Sequence, residues 1–469
     1  MEQNDFDVIV LGGGPAGENV ADRAVQGGLT AALVEHELVG GECSYWACEP
    51  SKALLRPVMA LRAARSVRGV VAGELDVPAV LARRDDFVDH WTDNGQVSWV
   101  DGAGITLVRG HGQLTGVRQV TVTAADRSDR VLTARHAVTI ATGSDAFVPD
   151  IDGLRAASPW TSREATSAHE VPASLAIIGG GVVGVEMATA FAAFGAEVTL
   201  ITQHGLLTSL EPFAGELVAQ SLAGQGVRLL LDTAVDRVRR TADGVTVETS
   251  DGTSVVAAEL LVATGRRPRT SDLGLDAVGL NAGDWIETDD TMLVRGTDWL
   301  YAVGDVTDRA LLTHQGKYQA RAAGDVIAAR AAGRPASDGA WGTHVATADH
   351  EAVPQVVFSD PEIAAVGLTA AAAADRGYDV RVVDYDLGRV SGAKLHTDGY
   401  AGQARMVVDE QRSVLLGVTF AGPDVGELLH AATIAVVGAV PLDRLWHAVP
   451  SFPTISEIWL RLLETYGRP

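Results

Sequence analysis

The chain has 469 residues and a formal net charge of −23, with 47% hydrophobic and 21% charged side chains. That composition is globular, with room for about three domains, and its charge repels nucleic acid and anionic lipid, although backbone N–H groups can still bind anions locally. No stretch of eighteen apolar residues runs free of charge or repeated glycine, so no membrane span is expected. The polar start, Met1 to Asp5, lacks the basic segment of a secretory signal, which points to the cytoplasm.

The first predicted element is a buried strand over residues 6–11. Gly12-Gly13-Gly14-Pro15-Ala16-Gly17 follows, then an Ala-rich helix to about residue 27 and a second strand, Ala31 to Val34, ending at Glu35. This is a βαβ opening in which Gly12, Gly14 and Gly17 would admit a pyrophosphate and Glu35 would bond a ribose.

Next come the only two cysteines, Cys43 and Cys48, with Gly41 before them and Lys52 after. A chain this long with two cysteines is no secreted disulfide framework, and no His cluster stands near them to complete a metal site. Residues five apart in a regular helix are separated by about 7.5 Å of rise, whereas a disulfide wants Cα atoms within about 7 Å. The pair therefore needs a distorted segment, for which Pro50, lacking an N–H, is a cause. Tyr45-Trp46 between the thiols is either core packing or an aromatic wall for a flat acceptor. Lys52 is one of three lysines among 37 basic residues, and its compact charge is one that arginine does not mimic.

An apolar strand, His136 to Ala141, ends in Thr142-Gly143. The βαβ pattern then recurs: Leu175 to Ile178, Gly179-Gly180-Gly181-Val182-Val183-Gly184, a helix to about 194, and a strand Glu197 to Ile201. Thr202 stands where the first copy has Glu35, and losing that acid admits a 2′-phosphate, which favours NADPH over NADH. A further Ala-Thr-Gly ends at Gly265, a strand over Trp299 to Val303 runs into Gly304-Asp305, and a helix starts near Thr313. From about 346 strands and Ala-rich helices alternate with no third phosphate loop.

The run Gly40-Gly41-x-Cys43-x4-Cys48-x-Pro50-Ser51-Lys52 resembles the active-site motif of the class I pyridine nucleotide–disulfide oxidoreductases, such as lipoamide dehydrogenase, glutathione reductase and mercuric reductase. The two glycine loops, Gly304-Asp305 and the segment Val357 to Leu368 extend the resemblance over nearly the whole chain. It implies an α/β fold: two doubly wound Rossmann-like domains and a C-terminal α+β dimerisation domain. The expected division is 1–150 and 276–345 for FAD, 151–275 for NAD(P), and 346–469 for the homodimer interface.

By the same resemblance Cys48 faces the flavin as the charge-transfer thiol and Cys43 is the interchange thiol. Lys52 sits near flavin N5 and pairs with Glu186. Asp305 binds the ribitol, Gly112, Thr142 and Gly143 lie along FAD, and the helix opening at Thr313-His314 points at the flavin C2 carbonyl. A cation beside N5 would favour the electron-rich reduced ring.

One position departs from that pattern. Disulfide-reducing relatives carry His-Pro-Thr-x-Ser-Glu, the His acting as acid–base; here the run is Phe452-Pro453-Thr454-Ile455-Ser456-Glu457. General acid–base catalysis contributes about 10²–10⁴-fold, so turnover of ordinary alkyl disulfides is disfavoured; His447, five residues upstream, is a weaker substitute. Mercuric reductases also lack this His but add a C-terminal cysteine pair, for which this chain has no cysteines left. A carboxylating relative acting on 2-ketopropyl-coenzyme M shares the Phe but has His at the Glu457 position.

The expectation is a flavoprotein passing electrons from NADPH or NADH through FAD and the Cys43–Cys48 disulfide to a small acceptor, a quinone or a disulfide with an acidic leaving thiol. No nucleic-acid, membrane or metal partner is expected. The alternatives are a thioether-cleaving ketone carboxylase, a dihydrolipoamide dehydrogenase, and a non-catalytic FAD-binding redox sensor.

Overall fold

The structure is a computed structural model that describes residues 3–468. The chain divides into two compact units, the first built from residues 1–50, 85–146 and 266–350, the second from 51–84, 147–265 and 351–469.

The first unit is organised by a seven-stranded sheet. Strand β1 (Asp5–Leu11) lies between β2 (Ala31–Glu35) and the long β6 (Asp129–Ile140), parallel to both. Strand β3 (Thr106–Arg109) flanks β2, while β4 (His111–Gly116) and β5 (Gln119–Thr123) return antiparallel beside β6. The strand Leu300–Ala302 also pairs with β6, shorter at both ends than its apolar run suggested. Strands buried on both faces need apolar residues at every position, and Val8, Ile9, Val10 and Leu11 are all buried. Alternation divides them: Val8 and Val10 pack with α1 (Pro15–Gln26) and the helix Thr313–Ala331, whereas Ile9 and Leu11 pack with Leu114, Val120 and Leu132. Each such side chain contributes about 1.5–3 kcal/mol on burial.

Around the cysteines the helix is broken. A five-residue helix α2 (Gly41–Tyr45) ends at Trp46, and α3 (Cys48–Arg65) starts afresh at the second thiol. Pro50 falls in the first turn of α3, where no N–H is required, so the break at Trp46-Ala47 supplies the distortion that the thiol spacing demands.

The second unit repeats the nucleotide theme in a parallel sheet ordered Arg228–Leu230, Glu197–Ile201, Ser174–Ile178, Glu259–Val262, with a three-stranded antiparallel sheet over Val235–Ala257. Its C-terminal part is a five-stranded antiparallel sheet ordered Pro354–Val357, Glu362–Gly367, Val414–Gly422, Gln403–Asp409, Val380–Asp386. Within this unit Glu211, buried at the start of helix Pro212–Gly224, accepts from Ala370 N–H at 2.7 Å and Arg405 at 2.8 Å, tying the nucleotide sheet to the antiparallel one.

Candidate active site

In both glycine loops the first and third glycines leave no room for a methyl group. A Cβ on Gly12 would lie 2.5 Å from Ala141 O, and one on Gly17 1.9 Å from Gly12 O. In the second loop a Cβ on Gly179 would lie 2.2 Å from Ala263 O, and one on Gly184 2.0 Å from Gly179 O. The outer glycines are thus required by packing. The middle ones are open: a Cβ on Gly14 meets only Gly41 Cα at 3.9 Å, and one on Gly181 meets nothing within 4 Å. Both loops precede helices whose first N–H groups face that open side, the arrangement that takes a pyrophosphate.

The rims differ. Glu35 is buried and its Oε2 accepts from Gly13 N–H at 2.7 Å while Oε1 accepts from Glu37 N–H at 2.7 Å. The carboxylate is therefore aimed at the phosphate loop itself, with lone pairs remaining for ribose hydroxyls. In the second unit Thr202 is buried and takes His204 N–H at 3.4 Å. It lines a cleft of about 130 Å³ with Gly181, His204, Thr208 and Ser209, and among the described residues no carboxylate and no arginine lines it. After the third glycine the first loop has Glu18 and the second has the fully buried Val185. Glu18 Oε1 is buried without a hydrogen-bond partner, and burial pushes this carboxyl up to about 7, Lys317 opposing and Glu35 adding to the rise.

Further cradle residues gather in the first unit. Gly112, on β4, is closely packed, a Cβ there meeting Leu11 at 2.7 Å and Val34 at 3.0 Å. Thr142 Oγ1 donates to Arg269 O at 2.8 Å, and a Cβ on Gly143 would meet nothing within 4 Å. Asp305 Oδ2 accepts from Ser144 Oγ, with Arg266 at 3.6 Å. Gly304 N–H donates to Gln319 Oε1 at 2.7 Å. Gln319 and Gln315 in turn donate to the buried carboxylate of Asp349 at 2.9 and 2.8 Å, and Arg309 lies 3.1 Å from it. One carboxylate therefore holds both glutamines of the helix Thr313–Ala331. Nothing in the sequence pattern had singled it out.

The thiols meet that helix. Cys43 and Cys48 are half-buried and not joined in a disulfide, and Cys48 Sγ lies 3.2 Å from Thr313 Oγ1. The Cys43 thiol is pushed strongly up, first by its hydrogen bond with Cys48, then by burial and the Cys48 charge, with Glu49 adding to the rise and the Thr313 hydroxyl opposing it. His314 is exposed in the first turn. Tyr45 is core: it is fully buried, and its hydroxyl donates to Val39 O and Thr92 O, each at 3.1 Å, so it forms no aromatic wall. Trp46 is half-buried, its ring 5.6 Å from that of Tyr45.

In the second unit Lys52 Nζ donates to Glu186 Oε2 at 2.8 Å and sits 4.9 Å from the Phe358 ring, while Glu186 Oε1 accepts from Phe358 N–H at 3.1 Å. The ion pair expected from the resemblance is present, with a cation–π contact added. Gly265 is open, nothing lying within 4 Å of a Cβ there. Phe452 is 73% exposed. Glu457 is buried; its Oε1 accepts from Arg461, one helical turn on, and its Oε2 has no partner. The Glu457 carboxylate is held by a guanidinium, a pairing that follows the four-residue spacing.

Residues 6–326 match the family described as pyridine nucleotide-disulphide oxidoreductase, and residues 353–462 match its dimerisation domain. The chain belongs to this family. It is 32% identical to the dihydrolipoyl dehydrogenase of Halobacterium salinarum, over 98% of this chain and 95% of that one. It is 29% identical to the mercuric reductase of Staphylococcus aureus, over 97% and 81%. Among solved structures it superposes on the HOCl-induced flavoprotein disulfide reductase RclA of Escherichia coli with a TM-score of 0.84 at 24% identity, covering 98% and 99% of the two chains, a likeness of fold. LpdA from Mycobacterium tuberculosis gives 0.83 at 25%, with the same coverage.

The chain is therefore a flavoprotein oxidoreductase whose cofactors are FAD and NAD(P)H, and its dimerisation domain supports a homodimer. Among the described residues no helix is long and apolar enough to cross a membrane, and no group of three His, Cys, Asp or Glu could hold a metal ion.

Proposed function

We propose that the enzyme uses NADPH, or NADH, to reduce a Cys43–Cys48 disulfide through Cys48 and passes the electrons to a small acceptor that needs no strong acid from the protein. Bound FAD supplies the two-electron relay between nicotinamide and sulfur. The Gly12–Gly17 loop, Glu35, Gly41, Gly112, Thr142, Gly143, Gly304, Asp305 and the Thr313-His314 turn hold FAD; Gly179, Gly181, Gly184, Thr202 and Gly265 hold the nicotinamide dinucleotide. Thr202 and the hydroxyl-lined cleft support NADPH, because no carboxylate there repels a 2′-phosphate. The four-part division at 150, 275 and 345 and a cytoplasmic location complete the reading.

The observation that carries this proposal is the Cys43–Cys48–Thr313 cluster combined with Phe452 in the acid–base position. Thr313 Oγ1 lies 3.2 Å from Cys48 Sγ, in reach to donate to a thiolate there, and the Cys43 thiol is pushed up by its contact with Cys48 and by burial. The exposed Phe452, with Val449 84% exposed nearby in sequence, lies in the segment matched as the dimerisation domain, and we assign it to the partner subunit's acceptor cleft. With a phenyl ring there, no side chain at that position returns a proton to a basic leaving thiolate. A disulfide whose thiols leave as stable anions avoids that demand once solvent has taken the Cys43 proton, and a quinone takes its two protons from the dithiol or solvent on its carbonyl oxygens.

Anaerobic stopped-flow reduction by NADPH should give a long-wavelength thiolate–flavin band that Cys48→Ser abolishes, with disulfide-acceptor turnover falling at least about 10³-fold. A wild-type protein without the band refutes the electron path. Dihydrolipoamide oxidation at high rates, as the relatives' names suggest, would instead show that Phe452 is no handicap.

A further inference from the structure

The first redox thiol rides on a helix of only five residues. Helix α2 follows Gly40 (φ 111°) and begins at Gly41 (φ 59°), two glycines with left-handed backbone. Such a glycine pair is a hinge, because neither residue has a Cβ to restrict its rotation. The C-terminal end of the helix is anchored by the buried Tyr45, whose hydroxyl bonds to Val39 O and Thr92 O. At its N-terminal end Arg269 donates to Glu42 Oε1 at 2.6 Å, and Gly40 N–H donates to Gly13 O at 2.7 Å. Glu42 is the residue directly before Cys43.

Arg269 is well placed to hold something still. Its Nε donates to Asp145 Oδ1 at 2.5 Å, its backbone N–H donates to Gly143 O at 3.0 Å, and its carbonyl accepts from Thr142 Oγ1 at 2.8 Å. It is therefore bolted by main chain and side chain to the Thr142–Asp145 segment, and its guanidinium reaches across to the cysteine helix. The two carboxylates keep it positive against its burial. A planar guanidinium serves two carboxylates at once, which an ammonium does not.

We propose that Arg269 is a positioning residue for the redox pair: through Glu42 it pins helix α2 against its glycine hinge and keeps Cys43 within bonding reach of Cys48. This rests on the reading of Cys43–Cys48 as the redox disulfide. The consequence is thermodynamic. Two sulfurs held together have a high effective concentration towards each other, so the disulfide is favoured and the couple is more reducing. Releasing α2 lowers that concentration and makes the dithiol easier to form.

The test is equilibration of the FAD-bound enzyme with mixtures of reduced and oxidised dithiothreitol. One dithiothreitol delivers two electrons and two protons, the Cys43–Cys48 bond opens to two thiols, and the reagent closes to its cyclic disulfide. The dithiol fraction is counted by alkylation and mass. Arg269→Gln should raise the equilibrium constant for reduction about tenfold, equivalent to about 30 mV. Glu42→Gln, which keeps the side-chain shape, should give the same shift. The double variant should add nothing further, and Arg269→Lys should recover part of the wild-type value. An unchanged constant in both single variants, or shifts that simply add in the double, overturns the inference. A wild-type protein that forms no reversible Cys43–Cys48 bond overturns the redox reading itself, and this inference with it.

Discussion

The two glycine loops share a backbone and differ in their surroundings. In each, the first and third glycines are demanded by a carbonyl about 2 Å from where a Cβ would be, and the middle one faces open space. What changes is the rim: Glu35 against Thr202, Glu18 against Val185, and a thiol pair beside the first loop only. On the proposed reading the shared part holds a dinucleotide, and the rim decides which one.

The sharpest way to separate the loops is to fill their third glycines one at a time. Gly17→Ala and Gly184→Ala each drive a methyl into a backbone oxygen, and each should cost about 3 kcal/mol of stability. If the loops serve different ligands, Gly17→Ala should shed FAD, read as released flavin fluorescence. Gly184→Ala should keep the flavin and lose reduction by NADPH. Loss of both functions in both variants would erase the distinction.

The residue after the third glycine gives a pH-dependent contrast. Glu18 titrates near 7 when folded against 4.5 when free, so the folded protein holds its proton more tightly. Stability should therefore fall as pH rises from about 4.5 to 7 and stay low above, by about 3 kcal/mol. Urea unfolding of Glu18→Gln at pH 5 and pH 8 should lack that component of the wild-type difference. Equal differences in the two proteins would assign the dependence elsewhere.

The smallest effect is at the second rim. Thr202→Glu should lower kcat/KM for NADPH about tenfold while leaving NADH little changed, because a carboxylate meets a phosphate in one case and a hydroxyl in the other. Steady-state rates with both coenzymes decide it; equal losses would mean that the 2′ position lies away from Thr202.

Much of this was legible because it is local. Glycine loops between a strand and a helix, the acid eighteen residues on, and the thiol spacing that forbids a regular helix all lie within short windows of chain. The Lys52–Glu186 pair lay beyond such windows and was reached by resemblance. Arg269–Glu42 and the Asp349 contacts join residues far apart in sequence, with no periodicity to announce them. Tyr45 was ambiguous for a different reason: an aromatic residue between two cysteines looks the same in sequence whether its ring faces the core or a ligand.

The Asp349 carboxylate has a mechanical corollary. Because it grips Gln315 and Gln319 while Gln319 grips Gly304, the turn bearing Asp305 and the helix bearing Thr313 form one girder. The residue proposed to meet the cofactor's sugar alcohol and the hydroxyl beside Cys48 therefore stand on a single hydrogen-bonded support.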